Sequence, residues 1–347
     1  MKKRFSKHRL RLFLEAFFFL SATFLVAIVL QKRSQALKVS DLTRSTKEFN
    51  SNLSLIKEEA VYKGLTLIPL EGNAKVLLIN INGEVVHSWD VDVERALLLK
   101  NGHLLVIHGS KWGRKVKPWK DLKNVVAEYD WDGREVWRYR AQGEVHHFIL
   151  KKPNGNVVFF QQLNLPIKYR EKVLDPLLRN AKFKVDKIVE VNREGEVVWE
   201  WKSYEHLDLN YCGARGCDRA INQIKTKGAA FDWVHSNTFW FLGENRWYDL
   251  GDSRFKPGNF LYLPRNWWTI FLIDRETGNP IWKYDKLEGG HEAYMIPKGF
   301  PGEGNILVFN NKPHTLPHRS EILEINPITK TVVWKYSNEN FYSRARG

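Results

Sequence analysis

Ile188-Val-Glu-Val-Asn-Arg-Glu-Gly-Glu-Val-Val-Trp199 reads as an alternating apolar run, a polar turn with glycine, and a second run closed by tryptophan. That order is a β-hairpin signature. It recurs as Leu77-Leu-Ile-Asn-Ile-Asn-Gly-Glu-Val-Val-His-Ser-Trp89, and in Val126 to Trp137, Ile270 to Trp282 and Ile322 to Trp334. A second kind of hairpin alternates with it, at Leu97-Leu-Leu-Lys-Asn-Gly-His-Leu-Leu-Val106, Ile149 to Phe159 and Met295 to Phe309. Two hairpins per unit make four strands, and such units in succession predict an all-β fold, a β-propeller with blades around a central channel. The tryptophans at 89, 137, 199, 282 and 334 count five readable blades. The wide spacings place insertions at Leu163–Lys187 and Tyr204–Lys227.

Outward from this repeat, the chain divides at its N-terminal side. The basic stretch Met1–Arg11 precedes the uncharged Ala16–Leu30, which is expected to be a transmembrane signal anchor. Flanking basic residues stay in the cytoplasm, so the bulk is expected on the periplasmic or extracellular side. Residues 1–36 are thus read as cytoplasmic segment and anchor, uncleaved, 37–63 as a polar stalk, and 64–347 as the propeller domain. Outside the cytoplasm Cys212 and Cys217 are expected to pair, two free thiols being the alternative. Of the net charge of +15, much lies in the first 36 residues, and no nucleic-acid motif accompanies the remainder. Nucleic acid is therefore excluded as a partner. With 43% apolar residues and 14 tryptophans the chain has ample material for a packed core, which excludes disorder over most of its length.

Three histidines sit at corresponding places in the second hairpins. His147 and His291 each lie eight residues before a glycine, Gly155 and Gly299, and His235 lies eight before Gly243. In a propeller the innermost strands line the channel, so the three are expected to converge. Asn237 follows His235 by two and is expected on the same face of an extended strand. Arg265, in Leu263-Pro-Arg-Asn-Trp-Trp268, begins the next hairpin of that blade.

Residues 64–347 resemble the arylsulfotransferase (aryl-sulfate sulfotransferase) family. The resemblance rests on Gly64-Leu-Thr-Leu-Ile-Pro69, His146-His147 before Pro153-Asn-Gly-Asn156, Asp232-Trp-Val-His235-Ser-Asn237, Pro264-Arg265-Asn-Trp-Trp268, Gly290-His291-Glu292 and His318-Arg319-Ser320. It implies a six-bladed propeller that moves a sulfuryl group from a phenolic sulfate donor to a phenol acceptor, without metal or cofactor. His291 matches the histidine that carries the sulfuryl group. His147, His235, Asn237 and Arg265 match residues that hold sulfate oxygens or assist proton transfer, with His146 beside them. The acceptor phenol, with a pKa near about 10, needs a base, for which His235 and His147 are candidates. Trp267 and Trp268 are expected to stack on the aryl ring.

Phe148 follows His147 where the family has an acidic residue, and the five readable units stop at Trp334, so a protein partner is expected to complete the ring. An enzyme is the favoured reading. The alternatives are a catalytically silent propeller subunit of a membrane assembly, a quinoprotein-like propeller, and a metal held by the clustered histidines.

Overall fold

The computed structural model describes residues 64–70 and 72–344. The expected anchor and stalk lie outside them. Among the described residues no helix is long and apolar enough to cross a membrane. The chain forms two compact units, of which the smaller holds 64–66 and 78–87 and the larger 67–70, 72–77 and 88–344 among described residues. The strands β1 (Thr66–Leu70), β2 (Lys75–Ile79) and β3 (Val85–Trp89) make a three-stranded sheet. In the smaller unit Asn80 caps the β2–β3 turn, its Oδ1 accepting from the amides of Asn82 and Glu84 at 3.0 Å each, while Gly83 takes the positive φ.

The larger unit contains four meander sheets. They are β4 (Arg95–Leu98), β5 (Leu104–Ile107), β6 (Val125–Tyr129) and β7 (Glu135–Arg140); then β8 (Glu144–Lys151), β9 (Val157–Asn164), β10 (Phe183–Val191) and β11 (Val197–Lys202). After the two-residue β12 (Phe231–Asp232), which pairs in parallel with the start of β10, come β13 (Ser236–Phe241), β14 (Phe260–Pro264), β15 (Ile270–Ile273) and β16 (Pro280–Tyr284). The last sheet is β17 (Gly290–Met295), β18 (Ile306–Asn310), β19 (Glu321–Asn326) and β20 (Thr331–Tyr336). Each repeated tryptophan hairpin of the sequence is the outer pair of one sheet. The fold is all-β and built of propeller-type sheets.

Why these residues make these sheets is visible in their middle strands. Leu104–Ile107, Val125–Ala127, Val157–Phe160 and Phe260–Leu263 are inaccessible to solvent, so both of their faces are covered. Continuous apolar runs of this kind suit strands buried on two sides. One core joins the second and third sheets of the larger unit through Phe160, Trp201, Phe239 and Tyr262. Another joins the third and fourth through Leu261, Leu272, Ala293 and Ile306. Full burial of side chains this large is worth roughly 1.5–3 kcal/mol each.

The tryptophans join sheet to sheet. The indole N–H of Trp89 donates to the carbonyl of Asp130 at 3.0 Å, that of Trp137 to Arg193 at 2.9 Å, and that of Trp282 to Pro327 at 2.8 Å. Each acceptor lies in the outer turn of the following sheet. In the second sheet of the larger unit it is Trp201, not the counted Trp199, that makes this bond, to Gly278 at 2.9 Å. Trp199 and Trp201 share a strand face, and Trp199 lies instead under the guanidinium of Arg275, 4.5 Å from its centroid.

The insertions carry short helices, the longest being Asp218–Lys227. Before it a disulfide closes Cys212 to Cys217, as the sequence reading anticipated. The turn Gly213–Arg215 rests on the turn Arg265–Trp267: Gly213, at φ +68°, lies directly against the Trp267 backbone with no room for a Cβ.

Candidate active site

The first strands of the last three sheets bring the candidate residues together. β8 packs against β13, and β13 against β17. Each of the three contains a bulge, between His146 and Ile149, Ser236 and Thr238, and His291 and Tyr294. A bulge re-aims the side chains beside it. His147 and His235 occupy left-handed conformations, φ +59° and +46°, whereas in β17 that conformation falls on Glu292, at +52°. The three histidines are therefore not at one backbone phase, contrary to the spacing argument.

They converge nonetheless. The rings of His147 and His235 meet edge to face at 4.7 Å between centroids. Arg265 is fixed to the same place through its backbone, its N–H donating to the carbonyl of His235 at 3.1 Å. Burial drives the pKa of His291 from 6.5 down to about 4; the Asn311 hydrogen bond opposes this, and the neighbouring charges of Arg265, His235 and Arg95 add to it. His291 is thus neutral at neutral pH.

Hydrogen-bond partners set a different tautomer for each histidine. Nδ1 of His291 lies 2.6 Å from Oδ1 of Asn311, whose Nδ2 donates to the carbonyl of Ser343, so Nδ1 carries the hydrogen and Nε2 keeps a lone pair. Nδ1 of His235 lies 2.5 Å from Oδ2 of Asp232, which likewise leaves its Nε2 as the basic nitrogen. His147 is different. Its Nδ1 lies 2.8 Å from Nδ1 of His146, and Nε2 of His146 lies 3.2 Å from the buried Asp186.

Burial lowers the His146 pKa, but the charge and hydrogen bond of Asp186 outweigh burial and raise it on balance. When His146 carries both hydrogens it donates from both nitrogens, and His147 then accepts on Nδ1 and presents Nε2–H. Burial first, then the charges of His146, His235, His291 and Arg265, hold His147 well below the usual imidazole range and therefore neutral.

Several expectations need correction. His146 is buried and acts on His147, so it is not placed to touch substrate. Trp267 is core, its indole N–H bonded to the carbonyl of Trp233 at 3.0 Å, and is not available for aryl stacking. Trp268 remains half-exposed, with the Arg215 guanidinium 5.6 Å from its ring. The bulge breaks the two-residue relation of Asn237 to His235: Asn237 is buried and its Nδ2 donates to the carbonyl of Gly290 at 3.0 Å. Its buried Oδ1 has no hydrogen-bond partner among the described residues.

Other residues at the site went unread in the sequence. Glu94, from the preceding sheet, accepts from the His147 amide at 3.3 Å, so an acidic residue stands beside the paired histidines although Phe148 follows them. Arg95 pairs with Glu292 at 2.8 Å. Asn311 lies just beyond β18, the strand paired with the one that carries His291, and that adjacency was the available signal.

A cleft of about 220 Å³ opens beside His235, Asp232 and Arg265, and the disulfide loop with Arg215 and the helix with Arg219 form its other side. No hydrogen bond within the described residues engages the Arg265 guanidinium. Burial first lowers its pKa, but it stays a cation. Among the described residues no group of three or more His, Cys, Asp or Glu is arranged to hold a metal ion.

The family model described as Arylsulfotransferase (ASST) matches residues 38–247. No curated protein matches the chain. Among solved structures, a Bacteroides caccae protein of unknown function is 14% identical with a TM-score of 0.46, covering 79% of this chain and 73% of its own. BamB from Moraxella catarrhalis is 10% identical at TM-score 0.36, over 80% of this chain and 60% of BamB. The Dos1 propeller is 13% identical at 0.35, over 80% and 57%.

Proposed function

Because the chain belongs to the arylsulfotransferase family, we propose that it transfers a sulfuryl group from a phenolic sulfate ester to a phenol, through a sulfohistidine on His291. The observation that carries this reading is the neutral His291 with Nδ1 bound to Asn311 and Nε2 unprotonated. A neutral imidazole nitrogen is a nucleophile; an imidazolium is not.

The steps balance as follows. Nε2 of His291 attacks sulfur, the bond from sulfur to the donor phenolic oxygen breaks, and the phenolate leaves. The phenolate takes its proton from water. In the second half His235, with Asp232 on its Nδ1, takes the proton of the acceptor phenol, the acceptor oxygen attacks sulfur, the N–S bond breaks, His291 recovers its lone pair and His235 returns its proton to water. Like phosphoryl transfer, the reaction places charge on the peripheral oxygens, so fixed donors do most of the work. Arg265 offers a fork of N–H groups to two oxygens, and His147 adds Nε2–H.

The same proposal includes a six-bladed closed propeller, as the family resemblance implies. It includes an anchor at Ala16–Leu30 with the propeller outside the cytoplasm, and the Cys212–Cys217 bond supports an oxidising location. The unprotonated Nε2 of a neutral His291 favours the enzyme over a silent subunit.

The test is transfer from an aromatic sulfate ester to a phenol by the detergent-solubilised full chain. Wild type is expected to release donor phenol and form sulfated acceptor, and His291→Ala to do neither. A folded wild-type protein inert with several donors would overturn the reading.

A further inference from the structure

Three guanidinium groups, Arg215, Arg219 and Arg265, line this cleft together. Its carboxylate, Asp232, is already engaged by His235. None of the three arginines is ion-paired to a carboxylate among the described residues. Arg215 reaches a single neutral acceptor, Oδ1 of Asn266 at 3.3 Å, and Arg219 meets Nε2 of His314 at 3.1 Å. Most of the five donors of each guanidinium are therefore unused. Burial first, then the charges of Arg219 and Arg265, bring the pKa of Arg215 down to about 10.

The placement of Arg215 is braced. Its turn is closed by the Cys212–Cys217 bond, and Gly213 presses on the Trp267 backbone two residues past Arg265. The Trp268 ring lies near its guanidinium. A sulfate monoester brings one negative charge, which Arg265 answers, and leaves the positive charge opposite uncompensated. The cleft volume is below the roughly 300 Å³ at which drug-sized pockets begin, so it admits a single substituted ring.

We propose that the cleft selects aryl substrates bearing a second oxyanion on the ring, with Arg265 holding the sulfuryl group and Arg215 and Arg219 holding the remote carboxylate, sulfate or phosphate. This rests on the sulfuryl-transfer reading, two of whose residues, His235 and Arg265, line the cleft. The disulfide loop is then a specificity element, and its arginines discriminate substrates by charge rather than take part in bond making.

Two arms test it. In the first, full-length protein in detergent is titrated calorimetrically with benzenesulfonate and with benzene-1,3-disulfonate, neither of which can transfer. Wild type is expected to bind the disulfonate at least about tenfold more tightly, through the added charge-assisted hydrogen bonds. Arg215→Gln and Arg219→Gln are each expected to lose most of that preference, and Arg215→Lys to keep part of it. In the second arm, kcat/KM is compared for phenyl sulfate and 3-carboxyphenyl sulfate, and the same ratio is expected to rise in wild type and fall in the variants.

Equal wild-type affinities for the two sulfonates overturn the proposal, even where a variant fails to fold. A preference that persists in both folded Gln variants overturns it too. Transfer without charge preference sinks the proposal and leaves the enzyme standing. Preferential disulfonate binding without any transfer supports the anion cleft and sinks the enzyme.

Discussion

Asn311 offers His291 an acceptor and nothing else, and that one contact decides which nitrogen is free to attack. Replacing it with a carboxylate, Asn311→Asp, stabilises the imidazolium; the acid limb for formation of the sulfamate-type sulfohistidine is expected to move up by about one unit or more. Rapid-quench measurement of the labelled enzyme against pH reads this, and an unmoved limb counts against the tautomer argument. The depressed pKa of His291 also bears on stability. The unfolded chain takes up the proton first, so stability contributed by neutral His291 is complete above about 6.5 and is lost as pH falls towards about 4. That interval corresponds to about 3 kcal/mol at about 1.4 per pH unit. Urea titrations are expected to show a shallower loss over this window in His291→Asn than in wild type. None of these partners was legible from the histidine spacing. Counting residues finds the imidazoles but not the neighbours that come from other strands, as Glu94 and Asn311 do.

Strands, turns and bulges tell a mixed story about what local pattern can carry. The hairpins were readable because an Asn or Asp followed by Gly specifies the turn: Oδ1 of Asn192 accepts from the Glu196 amide at 2.8 Å, and Gly195 takes φ +85°. The bulges were not readable, because an inserted residue costs the pattern only one step while it redirects the side chains. Hence the two-residue relation of Asn237 to His235 is interrupted, and His291 does not share the backbone conformation of His147 and His235. Burial was also beyond reach for His146 and Trp267, whose surroundings come from other segments. The disulfide turn gives a clear elemental prediction. Gly213→Ala adds a Cβ against the Trp267 backbone at a positive φ, and is expected to destabilise by about 1–3 kcal/mol in denaturant titration. A neutral effect means that the two turns are not in close contact.

At the scale of the whole molecule, the buried Asp186 ties two sheets together. It meets His146 in its own sheet and accepts from the Ser236 amide at 2.8 Å in the next. Burial pushes its pKa up, but the charge of His146 and the hydrogen bonds from His146 and Ser236 prevail, and the net shift is downward. Its stabilisation is therefore present above the ordinary carboxylate pKa and is lost as pH falls through the lower folded value; that of His146, whose pKa is raised, is lost instead as pH rises through its folded value. Asp186→Ala leaves the imidazolium unpaired in the interior and is expected to cost about 3–5 kcal/mol. Equilibrium unfolding measures it, and a loss under about 1 kcal/mol contradicts the buried pair.

The indole bonds between sheets all point one way along the chain, from a tryptophan to the turn of the sheet that follows. The joint is consequently polar, with a male half and a female half in every repeat that carries both. Loss of a following sheet strands a buried N–H, whereas loss of a preceding one frees only a turn carbonyl that water can reach. Trp334, 49% exposed on the outermost strand, is a donor of this kind with no following turn among the described residues. Gene duplication of one repeat copies both halves of the joint together, so such an array can lengthen or shorten by whole repeats and still interlock at every internal seam.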